Sequence, residues 1–242
     1  MTDQPRILVI SPALNEQGAI AGVVRSVNEA MPGVPVLVID DHSTDGTVNA
    51  AMAAGARVLC LPVHLGLGGA VQAGYKLAFE SGYDYVIRVD GDGQHNPRDI
   101  PRILDALRNT GAEVVIGSRF VGAGGAHTSI ARSAGIVFFR LLLRPILGRM
   151  IYDPTSGFIG VNRRALEVFA HSFPLTYPEI EALVVLQRKR FRFHEIHCVM
   201  RPRRTGKSTI TALKSLRYMV HVLLGVFVNI LKIDSAPAGP AE

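Results

Sequence analysis

The chain has 242 residues, 48% of them hydrophobic and 19% charged, which suffices for one large α/β domain with a sizeable core. Its two cysteines exclude a disulfide framework and a cysteine-based metal cluster, so a reducing compartment is expected. The net charge of +6 suits nucleic acid, anionic lipid or phosphorylated compounds, but helix-turn-helix, zinc and RNA-binding signatures are missing, which argues against nucleic acid.

Short apolar runs alternate with helix-like stretches through the first half of the chain. The predicted strands are residues 6–11, 34–39, 58–61, 83–89 and 113–117, and the predicted helices are 17–31, 44–54, 69–81 and 98–110. The first apolar run is too short for a signal peptide. Nearly continuous apolar strands separated by helices indicate a mostly parallel sheet covered on both faces, whose ligands bind beyond the carboxyl ends of the strands.

The second half has a different pattern. It predicts helices at 136–151, broken at Pro145, at 165–169 and at 179–189, a loop at 153–158 and a strand at 192–200. An apolar helix with a narrow polar stripe is predicted at 212–233. Its uninterrupted apolar part, 218–233, is shorter than the roughly 20 residues that span a bilayer. A helix lying at a membrane interface is therefore expected, and a core helix is the alternative.

A pair of carboxylates stands where the fourth predicted strand ends. Asp90 and Asp92 are two residues apart, so they project to the same side, and the glycines around them allow a tight turn with room for a ligand. Oxygen ligands of this kind suit Mg2+ or Mn2+ shared with substrate phosphates. The alternative interpretation is an ordinary Asp-Gly hairpin turn.

A second carboxylate pair, Asp40 and Asp41, follows the second predicted strand. A carboxylate here could accept hydrogen bonds from the imide or ribose of a nucleotide. Ser43 or Thr44 could instead serve only as a helix N-cap, which would explain the hydroxyls but not the acidic pair.

Several arginines that are distant in sequence could converge on phosphate groups, because the guanidinium fork suits bidentate phosphate contacts. A solvated basic face is the alternative for any one of them. These arginines are Arg119, Arg132, Arg203 and Arg204. The glycine-rich segment 64–69 is only a weak phosphate-loop signal, and segment 206–208 is not a P-loop because Arg201 occupies the position of the upstream glycine.

Together these motifs resemble inverting glycosyltransferases of family 2 with the GT-A fold and, within them, the dolichol-phosphate mannose synthase group. The resemblance covers residues 6–232 and rests on segments 12–16, 40–47, 66–74, 90–97, 117–120, 153–158 and 203–208. It implies a Rossmann-like, mostly parallel sheet flanked by helices, with amphipathic interfacial helices at 136–151 and 212–233. The expected units are a GT-A domain at 1–210, a membrane-interface helix at 211–234 and a disordered tail at 235–242.

The resemblance also implies roles for individual residues. The nucleoside would be held by Pro12, Ala13, Glu16 and Asp40. The metal, Mg2+ or Mn2+, and through it the donor diphosphate, would be held by Asp90, Asp92 and Gln94. The donor or acceptor phosphates would be bound by Arg119, Arg132, Arg203 and Arg204. The residues expected to act in catalysis are Asp92, Arg119 and Arg204.

Two departures from the mannose synthase pattern affect these expectations. The family places a hydroxyl residue one helical turn after the arginine matched by Arg132, but this chain has Ile136 there and Ser133 beside the arginine. The C-terminal pattern looks more like a bacterial subgroup that includes actinobacterial polyprenyl-phospho-N-acetylgalactosaminyl synthases. Those synthases use a UDP-sugar, and the subgroup is often paired with a small integral membrane protein.

The resulting hypothesis is metal-dependent, inverting transfer of a sugar, with a UDP-N-acetylhexosamine favoured as donor, to polyprenyl phosphate. The enzyme would lie on the cytoplasmic face of the membrane. A phosphate acceptor has a second pKa of about 6 and needs no strong base. The alternatives are a synthase using GDP-mannose, a transferase to a sugar hydroxyl with Asp92, Glu179 or Glu181 as base, and a non-catalytic nucleotide-sugar-binding scaffold.

Overall fold

The computed structural model describes residues 4–122, 130–175 and 178–200. The strands are β1 Ile7–Ala13, β2 Val36–Asp40, β3 Arg57–Cys60, β4 Tyr85–Arg88, β5 Val114–Ser118, β6 Ile159–Asn162 and β7 Phe193–His197. The helices are α1 Ile20–Ala30, α2 Thr47–Ala53, α3 Gly66–Glu80, α4 Ile100–Asn109, α5 Ile130–Leu147, α6 Arg163–His171 and α7 Pro178–Arg188, with a 3-10 turn at Pro97–Asp99. This order confirms the predicted alternation in the first half of the chain.

The seven strands form one sheet in the order β3-β2-β1-β4-β6-β5-β7. Every neighbouring pair is parallel except those made by β6, which runs antiparallel to both β4 and β5. The predicted mostly parallel α/β sheet is thus confirmed, but β6 was not predicted. Its four residues lie between a turn-rich loop and helix α6, which begins at once because the Asn162 side chain accepts a hydrogen bond from the Ala165 N–H at 3.1 Å.

Both faces of the sheet are covered, because successive side chains along a strand point to opposite sides. Ile10 and Ile39 belong to a core that includes residues of α3, α5, α6 and α7. Val9 and Val38 belong to a second core, formed with α1 and α4. This double burial explains why the strands are nearly continuous apolar runs in the sequence.

Several predicted element boundaries are wrong, among them the start of α1, at Ile20 rather than residue 17, and the start of α5, at Ile130 rather than residue 136. Helix α2 begins at Thr47 rather than at residue 44, and its N-cap position, Gly46, makes no side-chain cap. Helix α5 continues through Pro145 to Leu147. Proline is tolerated here because it lies in the last turn, so little helix remains beyond the point where it disturbs the backbone hydrogen bonds.

Helix α5 has an apolar side chain on nearly every face. One side is buried in the core through Ile136, Phe139, Leu143 and Leu147, while the opposite side exposes Val137, Phe138 and Leu141. Within the described ranges, no helix is both long and apolar enough to cross a membrane. The helix predicted at 212–233 and the tail predicted at 235–242 lie outside the described residues.

Candidate active site at the carboxyl edge of the sheet

Residues predicted to hold a nucleoside meet where β1 and β2 end. Pro12 and Ala13 finish β1, and Ala13 is paired with Asp40, the last residue of β2. Gly91, which follows β4, donates its N–H to the Pro12 carbonyl at 3.2 Å. The sheet therefore places the nucleoside residues directly beside the Asp90-Gly-Asp92 segment.

The carboxylate of Asp40 is buried, yet half of it is not engaged by the described part of the chain. Oδ2 accepts the Ser43 N–H at 3.2 Å, whereas Oδ1 is buried and has no hydrogen-bond partner there. A buried acceptor without a partner costs free energy unless a ligand or water supplies a donor. This is the chemistry expected of a residue that accepts from a nucleobase imide or a ribose hydroxyl.

Asp41, the other member of the pair, has a structural role. Its Oδ1 accepts the Leu65 N–H at 2.7 Å, and its Oδ2 lies 2.8 Å from Nδ1 of His64. Asp41 therefore fixes the segment that leads into α3.

The loops after β1 and β2 are tied to each other. Asn15 and His42 both adopt left-handed backbone conformations, with φ of 55° and 66°. The Asn15 N–H donates to the Ser43 hydroxyl at 2.9 Å, and the Asn15 side chain accepts the Thr44 N–H at 2.8 Å. Ser43 and Thr44 thus join two loops instead of capping α2. The Glu16 N–H donates to the Thr47 hydroxyl at 2.8 Å, which holds Glu16 at the same edge.

The predicted metal ligands lie on the turn after β4. Gln94 donates its backbone N–H to Oδ1 of Asp92 at 3.0 Å, which closes the turn that carries all three ligands, and Gly93 adopts a positive φ of 76° in it. No group of three or more His, Cys, Asp or Glu side chains in the described ranges is arranged to hold a metal. Two carboxylates and an amide oxygen are hard donors, and they fit a Mg2+ or Mn2+ ion that shares its coordination with a diphosphate.

Arg88, the last residue of β4, contacts the turn from Asp90 to Gln94 that carries the predicted metal ligands, here called the metal motif. Its Nε donates to Oδ1 of Asp90 at 3.0 Å, and its Nη2 donates to Oε1 of Glu179 at 2.9 Å. The sequence predicts no role for Arg88, and for Glu179 it predicts a role only as a base in the sugar-hydroxyl alternative. Glu179 is 91 residues away along the chain, so spacing gives no sign of the contact.

His95 is hydrogen-bonded to the same turn. Its Nδ1 accepts the Asp90 N–H at 3.0 Å, and its ring stacks on Phe158 with centroids 5.0 Å apart. Burial lowers the pKa of His95, while the nearby Asp90 and Asp92 carboxylates act in the opposite direction. A neutral imidazole is what the hydrogen bond from Asp90 requires, because Nδ1 must carry a lone pair.

The loop at 153–158 reaches the site because β6 runs antiparallel, so that its amino end lies beside the carboxyl ends of β4 and β5. A Cβ atom at Gly157 would lie 2.5 Å from Oδ2 of Asp90 and 2.9 Å from Nη2 of Arg88. Only glycine fits this position without a shift in the metal motif.

The same loop holds Arg119. Asp153 accepts from Nε and Nη2 of Arg119 at 2.7 Å each and from its backbone N–H at 3.0 Å. Nη2 also donates to the Thr155 hydroxyl at 3.0 Å. Among the described residues, no hydrogen bond to the remaining side-chain nitrogen, Nη1, is identified.

The side chains of the remaining predicted phosphate ligands lie outside the part of the chain that the structure describes. Arg203 and Arg204 lie outside the described residues, as does the side chain of Arg132. Ile136 is buried in the core, so it makes no contact with an acceptor at the position where the family has a hydroxyl. The basic residues 188–192 precede β7, whose amino end lies at the opposite edge of the sheet from the site.

Comparison with known proteins agrees with this geometry. The sequence profile described as Glycosyl transferase family 2 matches residues 8–169. An undecaprenyl-phosphate mannosyltransferase of Micrococcus luteus is 37% identical over 160 residues, which cover 63% of this chain and 65% of that protein. A polyprenol monophosphomannose synthase of Mycolicibacterium smegmatis is 36% identical over 179 residues, which cover 67% of this chain and 63% of that protein. The match thus spans slightly less than two thirds of the length of either relative.

A solved structure shares the fold. A crystal structure of glucosyl-3-phosphoglycerate synthase from Mycobacterium tuberculosis, in complex with Mn2+, UDP and glucosyl-3-phosphoglycerate, aligns with a TM-score of 0.72 at 26% identity. The alignment covers 96% of this chain and 82% of that chain, and it confirms the predicted GT-A architecture. With the profile matching well over half of its length, the chain belongs to glycosyl transferase family 2.

Proposed function

We propose that this protein transfers a sugar from a nucleotide diphosphate sugar to polyprenyl phosphate, with inversion at the anomeric carbon. The observation that carries the proposal is the contiguity of two features at one sheet edge. The buried acceptor Oδ1 of Asp40 suits a nucleoside, and the Asp90, Asp92 and Gln94 donors beside it suit a metal-bound diphosphate. The names of the two relatives supply the class of acceptor.

The residues at the site divide the work of the reaction. Asp40, with Pro12, Ala13 and Glu16 around it, orients the nucleoside. Asp90, Asp92 and Gln94 hold the Mg2+ or Mn2+ ion, which supplies Lewis-acid neutralisation of the leaving diphosphate. Arg119, fixed by Asp153, presents Nη1 to a phosphate, and Arg132, Arg203 and Arg204 are proposed to complete the phosphate contacts.

An acceptor phosphate also fits the state of the acidic residues. Asp153 is fully buried and Arg119 occupies both of its oxygens, while Glu179 is ion-paired with Arg88. Glu181 is buried as well. A transferase acting on a sugar hydroxyl needs a carboxylate that can take a proton from the acceptor. The ion-paired Asp153 and Glu179 are poorly suited to that task, the buried Glu181 has little access to an acceptor, and Asp92 is assigned here to the metal.

Access to a lipid acceptor is proposed to come from the outer face of α5. Its exposed Val137, Phe138 and Leu141, with Arg144 nearby, combine apolar side chains with a cation, as interfacial helices do. We propose that this face rests on the cytoplasmic surface of the membrane, together with the helix expected at 212–233.

Two donors remain in the proposal. The C-terminal sequence pattern favours a UDP-N-acetylhexosamine. The two mannosyl relatives favour GDP-mannose as the second candidate.

A transfer assay tests the proposal. Purified protein, Mn2+ or Mg2+ and a short polyprenyl phosphate are offered radiolabelled UDP-GalNAc, UDP-GlcNAc, UDP-Glc and GDP-Man separately. Metal-dependent label in the organic phase, lost in Asp92→Asn, is expected with one donor. Nucleotide binding without organic-phase product would indicate a sugar-hydroxyl acceptor or a required membrane partner. Label on the supplied polyprenyl phosphate after membranes are added would identify the missing partner, and label on a membrane glycan alone would identify the sugar-hydroxyl acceptor.

A further inference from the structure

The most deeply buried charge near the site belongs to Arg88. Its side chain is 1% exposed and is the largest fully buried side chain in the described part of the protein. Burying a guanidinium is unfavourable unless carboxylates compensate for the lost hydration. Two carboxylates, from Asp90 and Glu179, do so here, although they are far apart in the sequence.

The first partner is the metal ligand Asp90. Both Nε and Nη2 of Arg88 approach the same oxygen of Asp90, Oδ1, at 3.0 and 2.9 Å. The Asp90 carboxylate is 29% exposed, so part of it is accessible to a metal ion. The position of Arg88 therefore determines how the Asp90 carboxylate is oriented.

The second partner is Glu179, in the first turn of α7. Its Oε1 lies 2.9 Å from Nη2 of Arg88, and its side chain is 14% exposed. A carboxylate in the first turn of a helix interacts favourably with the positive end of the helix dipole. Arg88 is thus shared between α7 and the metal motif.

We infer that Glu179 is a positioning residue for the metal site, acting through Arg88 on Asp90. This inference rests on the proposed function only in taking Asp90, Asp92 and Gln94 as the metal ligands. Glu179 shares the Arg88 guanidinium with Asp90, so that it partly neutralises the positive charge beside Asp90. The same ion pair keeps the guanidinium from moving toward the metal ligands. The Asp90 carboxylate then keeps both the orientation and the negative charge that a divalent cation needs.

The sign of the effect follows from charge. Removing the Glu179 charge deletes one negative charge near the cation and leaves Asp90 as the one ionic partner of Arg88 among the contacts identified above. Both changes weaken attraction for a divalent cation. A group behind a metal ligand that is altered in this way typically reduces metal affinity by about tenfold to a hundredfold.

The test measures metal binding rather than turnover. Mn2+ affinity is measured by calorimetry in the presence of saturating UDP and, separately, GDP, for the wild type and for Glu179→Gln and Glu179→Asp. The expected result is about tenfold weaker Mn2+ binding in Glu179→Gln, with recovery of most of the affinity in Glu179→Asp, which keeps the charge.

Glu113→Gln is the matched control. Glu113 is also buried and ion-paired, 3.0 Å from Arg164, but it adjoins the amino end of β5, at the opposite edge of the sheet from the site. Its replacement is expected to lower thermal stability without changing Mn2+ affinity. This contrast separates a general loss of buried charge from the specific effect on the metal motif.

Each outcome bears on the inference. Unchanged Mn2+ affinity in Glu179→Gln, with stability alone reduced, overturns it, and so does unchanged affinity with turnover alone reduced, which is the signature of a base. If Glu179→Gln does not fold, Arg88→Lys replaces it, because a lysine keeps the buried cation but cannot contact both carboxylates in the same way, and unchanged Mn2+ affinity in that variant overturns the inference. If the wild type binds no Mn2+ with either nucleotide, the proposed function fails as well.

Discussion

Asp153→Asn is the substitution for which the structure gives the clearest energetic expectation. Asp153 is fully buried and Arg119 is 8% exposed, so the change leaves a buried guanidinium without its counter-charge. The carboxylate accepts three hydrogen bonds from Arg119, two of them at 2.7 Å, whereas an amide of the same shape retains one acceptor oxygen. Breaking a buried ion pair from one side costs about 3–5 kcal/mol. With the retained acceptor, we expect a loss near the lower end, about 3 kcal/mol.

Urea unfolding followed by far-ultraviolet circular dichroism measures this loss, since the chain contains no tryptophan. The comparison variant is Asp99→Asn, whose partner Arg102 lies 2.8 Å away but has a side chain that is 55% exposed. Asp99 is itself buried, but the half-exposed Arg102 guanidinium stays hydrated when the pair is broken, so the cost should be well below that of Asp153→Asn. If Asp153→Asn were as mild as Asp99→Asn, the view of Asp153 as a buried clamp on Arg119 would be refuted.

Three further predictions follow from burial and close packing. Gly157→Ala should weaken Mn2+-dependent UDP binding and lower the free energy of unfolding by about 1–3 kcal/mol, because the added Cβ would lie 2.5 Å from Oδ2 of Asp90. Wild-type values in both calorimetry and unfolding would contradict this. Ellman's reagent should react with Cys60 alone in the folded protein, because Cys60 is exposed and Cys198 is buried. Burial, with a smaller contribution from a nearby aspartate, raises the pKa of Cys198 to about 12. Two rapidly reacting thiols would contradict this prediction. Leu141→Glu, at a side chain on the exposed face of α5, should reduce cosedimentation with anionic vesicles while leaving the unfolding midpoint unchanged, and undiminished cosedimentation would exclude this face from docking.

The sequence predicted the site edge well because strand ends are local features. The apolar runs that stop at Ala13, Asp40 and Arg88 are each followed by polar residues, and a parallel sheet necessarily collects such ends along one edge. The proximity of the residues predicted to hold the nucleoside to those predicted to hold the metal could therefore be inferred from the sequence.

What the sequence did not predict depends on contacts between distant segments. The pair formed by Arg88 and Glu179 leaves no periodic or spacing signal, and neither does the contact between Arg119 and Asp153. Strand β6 was missed because four residues between a loop and a helix are too few to show a pattern. The short apolar alternation ending at the helix cap Asn162 was the available signal.

The antiparallel strand β6 also makes the site sensitive to register. It is hydrogen-bonded on both sides, to β4 and β5, and carries the loop that touches Asp90 and Arg119. A slip of one residue would exchange its two faces and bring a bulky side chain to the place of Gly160, where a Cβ atom would lie 2.3 Å from Cγ2 of Ile103. Gly160 thus allows only one alignment of β6. A folding intermediate in which β6 is mispaired is expected to lack the contacts of loop 153–158 with both Asp90 and Arg119.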